Sequence, residues 1–139
     1  MSHISPFHLA IPVKELIQTR AFYRDTLGFK EGRTSDHWVD LDFFGHQLVL
    51  HISNNINENV SNPVDGKSVP VPHFGVVLAW QQWHEFRDLC VTKKIEFVIE
   101  PYIRFAGETG EQATMFFLDP SGNALEFKSF KDPESLFAS

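Results

Sequence analysis

One feature constrains this chain more than any other: its hydrophobic pattern runs twice through the same series. From residue 7 to 52 the order is strand, helix, strand, strand, strand, and at residue 72 it starts again. In the first copy Phe7, Leu9 and Ile11 alternate with His8 and Ala10 as a strand. Leu16, Thr19, Tyr23 and Leu27 then recur at helical spacing over 14–27, with Gly28 as the stop. Strands follow at 29–31, 37–42 and 47–52, with a polar turn over 33–36. In the second copy a strand over 72–78 precedes a helix over 81–94 whose buried stripe is Trp83, Phe86, Leu89 and Cys90. Strands at 95–99 and 114–118 come next, separated by a long loop over 100–112. The last strand holds Ala124, Leu125, Glu126 and Phe127. Between the copies, 53–72 is rich in Asn, Ser, Pro and Gly and reads as a linker. The whole chain is expected to be a single domain over 1–139. Module one spans about 5–53, the linker about 54–71 and module two about 72–130.

Two anchors set the alignment of the copies. His8 matches His73, and the Asp42–Gly45 turn matches Asp119–Gly122. The second interval is the longer one, and the 100–112 loop can hold the extra residues. In this register Val49 is the counterpart of Glu126. On each first strand and each last strand, one set of alternate residues is apolar and suits packing under the helix. The opposite faces carry His8, His73 and Glu126, with Gln47, Val49 and His51 beside them. Glu126 is the odd residue, a carboxylate on a strand built for a core. It is either solvated or held by a strong partner such as a metal.

Composition narrows the function classes. A net charge of −6 and the absence of a basic run argue against a nucleic-acid partner. No segment has the apolar length to span a bilayer. Residues 1–7 have neither a basic region nor an apolar run, so no signal peptide is expected. The single Cys90 makes no internal disulfide, and a reducing, cytoplasmic setting is the simplest expectation. Cys90 falls on the buried helix stripe and is expected to be inert. The 14 Phe residues suit cores and apolar pocket walls.

The paired pattern, the segment Ala21-Phe22-Tyr23-Arg24-Asp25-Thr26-Leu27-Gly28-Phe29 and the segment Asp119-Pro120-Ser121-Gly122-Asn123-Ala124-Leu125-Glu126-Phe127 together resemble the vicinal oxygen chelate superfamily. That superfamily groups glyoxalase I, extradiol dioxygenases, fosfomycin-resistance enzymes and bleomycin-binding proteins, and the resemblance runs from Phe7 to about Phe130. It implies an α+β fold in which two βαβββ modules form an open mixed-sheet barrel around a metal cavity. By the same resemblance His8, His73 and Glu126 are the metal ligands. Glyoxalase I enzymes generally have a carboxylate where this chain has Val49. Its absence leaves two imidazoles and one carboxylate, the set of the extradiol dioxygenase branch.

Such a set leaves open positions that suit Fe(II) with a bidentate oxygen substrate, and also Mn(II), Ni(II) or Zn(II) as Lewis acids. Extradiol-dioxygenase-like chemistry on a small substrate is therefore the first expectation. A glyoxalase-like lyase or isomerase is the second, and a bleomycin-type binding protein without catalysis the third. His51 shares a strand face with Val49 and is the candidate acid–base residue. Gln47 lies on that face too and, with Trp38, Met115 and Arg104, is a candidate substrate-binding residue. Trp38, Asp40, Met115 and Phe117 are expected to line the walls. Tyr102 and Arg104, placed in the long loop, are expected to close over an anionic substrate. A homodimer with no nucleic-acid or membrane partner completes the expectation.

Overall fold

The computed structural model describes residues 4–54 and 60–139. Both expected modules are present. In the first, β1 (His8–Val13), α1 (Leu16–Ala21), β2 (Lys30–Thr34), β3 (Trp38–Phe43) and β4 (His46–Ile52) follow one another, and the sheet order is β1-β4-β3-β2. A hairpin of β5 (Val60–Val64) and β6 (Lys67–Val71) follows. The second module runs β7 (His73–Val77), α2 (Trp80–Thr92), β8 (Phe97–Arg104), β9 (Gln112–Leu118) and β10 (Ala124–Phe130), with sheet order β7-β10-β9-β8. In each sheet the first and last strands pair in parallel, and the other neighbours are antiparallel. Neither sheet closes on itself, and the fold is the mixed α+β arrangement of two βαβββ modules. Among the described residues no helix is long and apolar enough to cross a membrane.

The chain divides into two compact units. The first holds 1–58 and the turn 119–123; the second holds 59–118 and 124–139. In the first unit Val13, Tyr23, Val39, Leu41, Leu48 and Leu50 form the core. Helix α1 passes into a π-turn over Phe22–Thr26, which carries the buried Tyr23, and Gly28 stops it with a φ of 83°. The 119–123 turn packs against this helix. Asp119 accepts bonds from the Tyr23 hydroxyl at 2.8 Å, from the Ser121 and Asn123 backbone N–H groups, and from Asn123 Nδ2. Burial raises its pKa, and those four donors oppose the shift. The Ser121 and Thr19 hydroxyls are 2.7 Å apart. The Asp-Pro-Ser-Gly-Asn signature is therefore structural: it satisfies a buried carboxylate.

In the second unit Trp83 is the anchor. It is 1 % exposed, and its indole N–H donates to the Phe127 carbonyl at 2.8 Å. Phe127 in turn stacks on Phe117 at a centroid distance of 5.6 Å and meets Phe86 at 4.5 Å.

Three expectations are corrected. Residues 53–72 are not a plain linker, because β5 and β6 pair across Asp65-Gly66. Both turn residues have positive φ, 53° and 75°, as a tight two-residue hairpin turn requires. Strand β8 continues to Arg104, so Tyr102 and Arg104 lie on a strand paired with β9 and not in a loop. Strand β2 continues to Thr34 through an irregular step, taking in part of the expected polar turn.

Replacing Trp83 by Ala should lower the free energy of unfolding by about 3–5 kcal/mol, the range for deleting a buried aromatic ring. Urea denaturation measures it, and a loss well under that range contradicts the anchoring role.

Candidate metal centre

The register within each module fixes which side chains share a face. In module one His8 stands opposite Gln47, and Ala10 opposite Val49. In module two His73 stands opposite Ala124, and Gly75 opposite Glu126. His8 and His73 are thus equivalent, as are Val49 and Glu126. Val49 is 8 % exposed, an apolar side chain where the other module has its carboxylate.

Two of the three expected ligands meet in the second unit. His73 Nε2 lies 3.1 Å from Glu126 Oε1, with side chains 29 % and 15 % exposed. Each partner is held from behind. His73 Nδ1 is 2.7 Å from the Pro70 carbonyl, which can only accept, so Nδ1 carries a proton. The Thr114 hydroxyl donates to Glu126 Oε2 at 2.6 Å. With Nδ1 protonated, a neutral ring turns the lone pair of Nε2 toward a carboxylate oxygen, and two acceptors face each other. A proton shared between the two atoms resolves this, and so does a metal ion held by both. A ring whose Nδ1–H is tied to a carbonyl, leaving Nε2 aimed at a carboxylate, is the arrangement of a metal-ligating histidine. His73 and Glu126 therefore fit a divalent metal. Gly75 lets the strands approach: a Cβ built there would lie 1.6 Å from the Glu126 carbonyl oxygen.

His8, the third expected ligand, belongs to the first unit. Its Nδ1 is 2.7 Å from Gln47 Oε1, so this ring is also held through Nδ1. Among the described residues no group of three or more His, Cys, Asp or Glu side chains is gathered as a metal cluster.

The other expected site residues fall as follows. Trp38 pairs across the strands with His51, Asp40 with Val49 and Asp42 with Gln47, so all share one face of the first sheet. His51 is exposed, and its Nδ1 is 3.3 Å from the Ile52 carbonyl. The Arg33 guanidinium lies 5.5 Å from the Trp38 ring centre and donates to the buried Asp40 at 3.3 Å. A cavity of about 430 Å³ in this unit is lined by Gly32, Asp40, Asp42 and Gln47 among others. Met115 and Phe117 are fully buried on the other side of β9. There they stand opposite Phe127 and Leu125, in the core. On the face of Glu126, β9 carries Gln112, Thr114, Phe116 and Leu118. Arg104 is occupied by Asp65, which also accepts from the Tyr102 hydroxyl at 3.0 Å. Thr114, Pro70 and Asp65 were not singled out from the sequence. Only Asp65-Gly66 carried a local signal, as a hairpin dipeptide.

Charge follows from these contacts. The hydrogen bond to Glu126, helped by Pro70, raises the His73 pKa above the ordinary 6.5, against the effect of burial. Burial alone would raise Glu126. The bonds from His73 and Thr114 and the charge of Lys128 outweigh it and hold Glu126 below the ordinary 4.5.

Two βαβββ modules, each with its first and last strands paired in parallel, are the architecture of the vicinal oxygen chelate class. A model of the Glyoxalase/Bleomycin resistance protein/Dioxygenase superfamily matches residues 5–127, and the chain belongs to that superfamily. Members of the superfamily generally use divalent metals. A solved glyoxalase/bleomycin resistance protein/dioxygenase from Alicyclobacillus acidocaldarius is 35% identical, with a TM-score of 0.81 and 96% of each chain covered. The genomically encoded fosfomycin resistance protein of Listeria monocytogenes shares the fold at 18% identity and a TM-score of 0.69, covering 98% of this chain and 99% of its own. A lactoylglutathione lyase from Agrobacterium tumefaciens does so at 17% identity and 0.62, with 97% of each chain covered. No curated protein matches the chain.

A raised His73 stabilises the fold fully below 6.5 and loses that contribution as pH rises through its folded value. A lowered Glu126 stabilises above 4.5 and loses its share as pH falls through its folded value. In metal-free protein the stability lost on His73→Ala should therefore be greatest between 4.5 and 6.5 and shrink on both sides. Urea denaturation across the pH range measures it; a difference that does not vary with pH contradicts the pairing.

Proposed function

We propose that this protein is a metal-dependent enzyme of the vicinal oxygen chelate type, closest in chemistry to the extradiol dioxygenases. His8, His73 and Glu126 are the metal ligands, and Fe(II) is the favoured ion. The observation that carries the reading is the His73–Glu126 pair, in which each member is oriented by a second group and Nε2 and Oε1 face the same point. The apolar Val49 supports the three-ligand set over the four-ligand set of a glyoxalase, because a buried valine offers no donor.

His8, His73 and Glu126 would hold such an ion, which would supply Lewis-acid and oxygen chemistry of the kind non-heme iron oxygenases use on substrates with adjacent oxygens. The chain's own residues prepare that site. Pro70 keeps the Nδ1 proton on His73, so Nε2 is the coordinating atom. Thr114 restricts the Glu126 carboxylate to Oε1 as the free oxygen. The proton on Nε2 must leave before the ring can ligate, so metal affinity rises with pH through the raised His73 value. Phe116, nearly perpendicular to the His73 ring with centres 5.0 Å apart, gives this side of the site an apolar wall.

Reconstitution with Fe(II) under argon, followed by metal analysis, should give one ion per chain in the wild type. His73→Ala and Glu126→Ala should reduce binding by at least about tenfold. The loaded wild type should then consume oxygen with some member of a panel of catechols. Lactoylglutathione formation without oxygen uptake would replace the dioxygenase reading with a lyase. Failure to bind any divalent ion, with His73→Ala unchanged in small-molecule binding, would replace both with a non-catalytic binding protein.

A further inference from the structure

We infer that the β5–β6 hairpin is a strap that sets the orientation of His73, and that Asp65 at its tip is the positioning residue that fastens it. The inference rests on the reading of His73 as a metal ligand, but its structural part stands without the metal.

Three fastenings run along the strap. At the tip, the Asp65 carboxylate takes a forked pair of N–H donors from Arg104, with Nη2 to Oδ1 at 3.3 Å and Nε to Oδ2. It also takes the Tyr102 hydroxyl on Oδ2 at 3.0 Å. Arg104 is steadied from its other side by Gln112 at 3.4 Å. Lys67, two residues past the tip, lies 4.8 Å from the Tyr102 ring centre. In the middle, Val69 packs with Ile99 and Phe116, and Tyr102 lies against that cluster. At the base, the Pro70 carbonyl accepts the Nδ1 proton of His73.

The end result is local and chemical. The groups that hold the strap, Tyr102 and Arg104 on β8, are register partners of Thr114 and Gln112 on β9. They therefore share the sheet face of Thr114 and Glu126. Phe116 is touched by Val69 from the strap and meets the His73 ring in a T-shaped contact. Displacement of the strap would remove the Nδ1 acceptor and the packing behind Phe116 together. His73 would then be free to turn Nε2 away from Glu126. An ion pair at an exposed hairpin tip is ordinarily worth little to stability. Its value here is orientational, and that is what the test must separate.

The variants are Asp65→Asn and Tyr102→Phe, the second removing one bond in case the first fails to fold. Two readouts are needed. Long-range nitrogen–proton NMR of metal-free protein reports whether the His73 Nδ1–H is bonded and protected from exchange. Co(II) titration reports affinity. The strap account expects Asp65→Asn to lose the Nδ1–H protection and to weaken Co(II) by about tenfold, the scale of losing a group that orients a ligand. Its melting temperature should stay near that of the wild type, and Tyr102→Phe should move both readouts less and in the same direction. Retained Nδ1–H protection in folded Asp65→Asn overturns the strap, whatever the melting temperature does. If wild-type protein binds no Co(II) while Asp65→Asn still loses the protection, the strap stands and the metal reading falls.

Discussion

Everything at the candidate centre depends on one contact, His73 Nε2 against Glu126 Oε1 at 3.1 Å. Two acceptors at that distance need a proton or a metal ion between them. The protein has removed the usual escape, in which the ring shifts its proton to Nε2, by tying Nδ1–H to the Pro70 carbonyl. The Thr114 hydroxyl likewise commits one oxygen of Glu126. What remains is a site that wants positive charge and offers one nitrogen and one oxygen to hold it. The parallel pairing of β7 with β10, and the bare backbone of Gly75 against Glu126, are what bring the two side chains onto one face.

The first module has the same scaffold with a different outcome. Its register places His8 as His73 is placed, but Val49 stands where Glu126 stands. On the proposed reading, one substitution of a donor by an apolar side chain separates a three-ligand set from a four-ligand set. The fold therefore makes two equivalent positions available, and the sequence decides how many are used. The same fold carries a fosfomycin resistance protein and a lactoylglutathione lyase, so the fold by itself does not set the activity.

The repeat, both helices and the pairing of Val49 with Glu126 were legible in the sequence because each rests on periodicity or on turn residues. Leu16, Thr19 and Tyr23 recur at helical spacing, and Gly28 supplies the positive φ that stops the helix. The misplaced features needed information that periodicity does not hold. Met115 and Phe117 were assigned to the wrong face because parity along β9 depends on its register with β10, set by the 119–123 turn. The hairpin was hidden because β5 and β6 are short, with Pro63 and Pro70 inside them, and only Asp65-Gly66 betrays the turn. Arg104 was expected to close over a substrate because its partner, Asp65, is distant in sequence. Thr114 and Pro70 gave no signal, since a hydroxyl or a carbonyl behind a ligand is defined by geometry alone.

The central claim is that His73 coordinates through Nε2, with His8 as the second imidazole. X-ray absorption on the metal-loaded protein tests it most directly, because imidazole rings give a countable multiple-scattering signature. The account predicts two imidazoles in the wild type and one in each of His8→Ala and His73→Ala. An imidazole count that does not change in His73→Ala would contradict it.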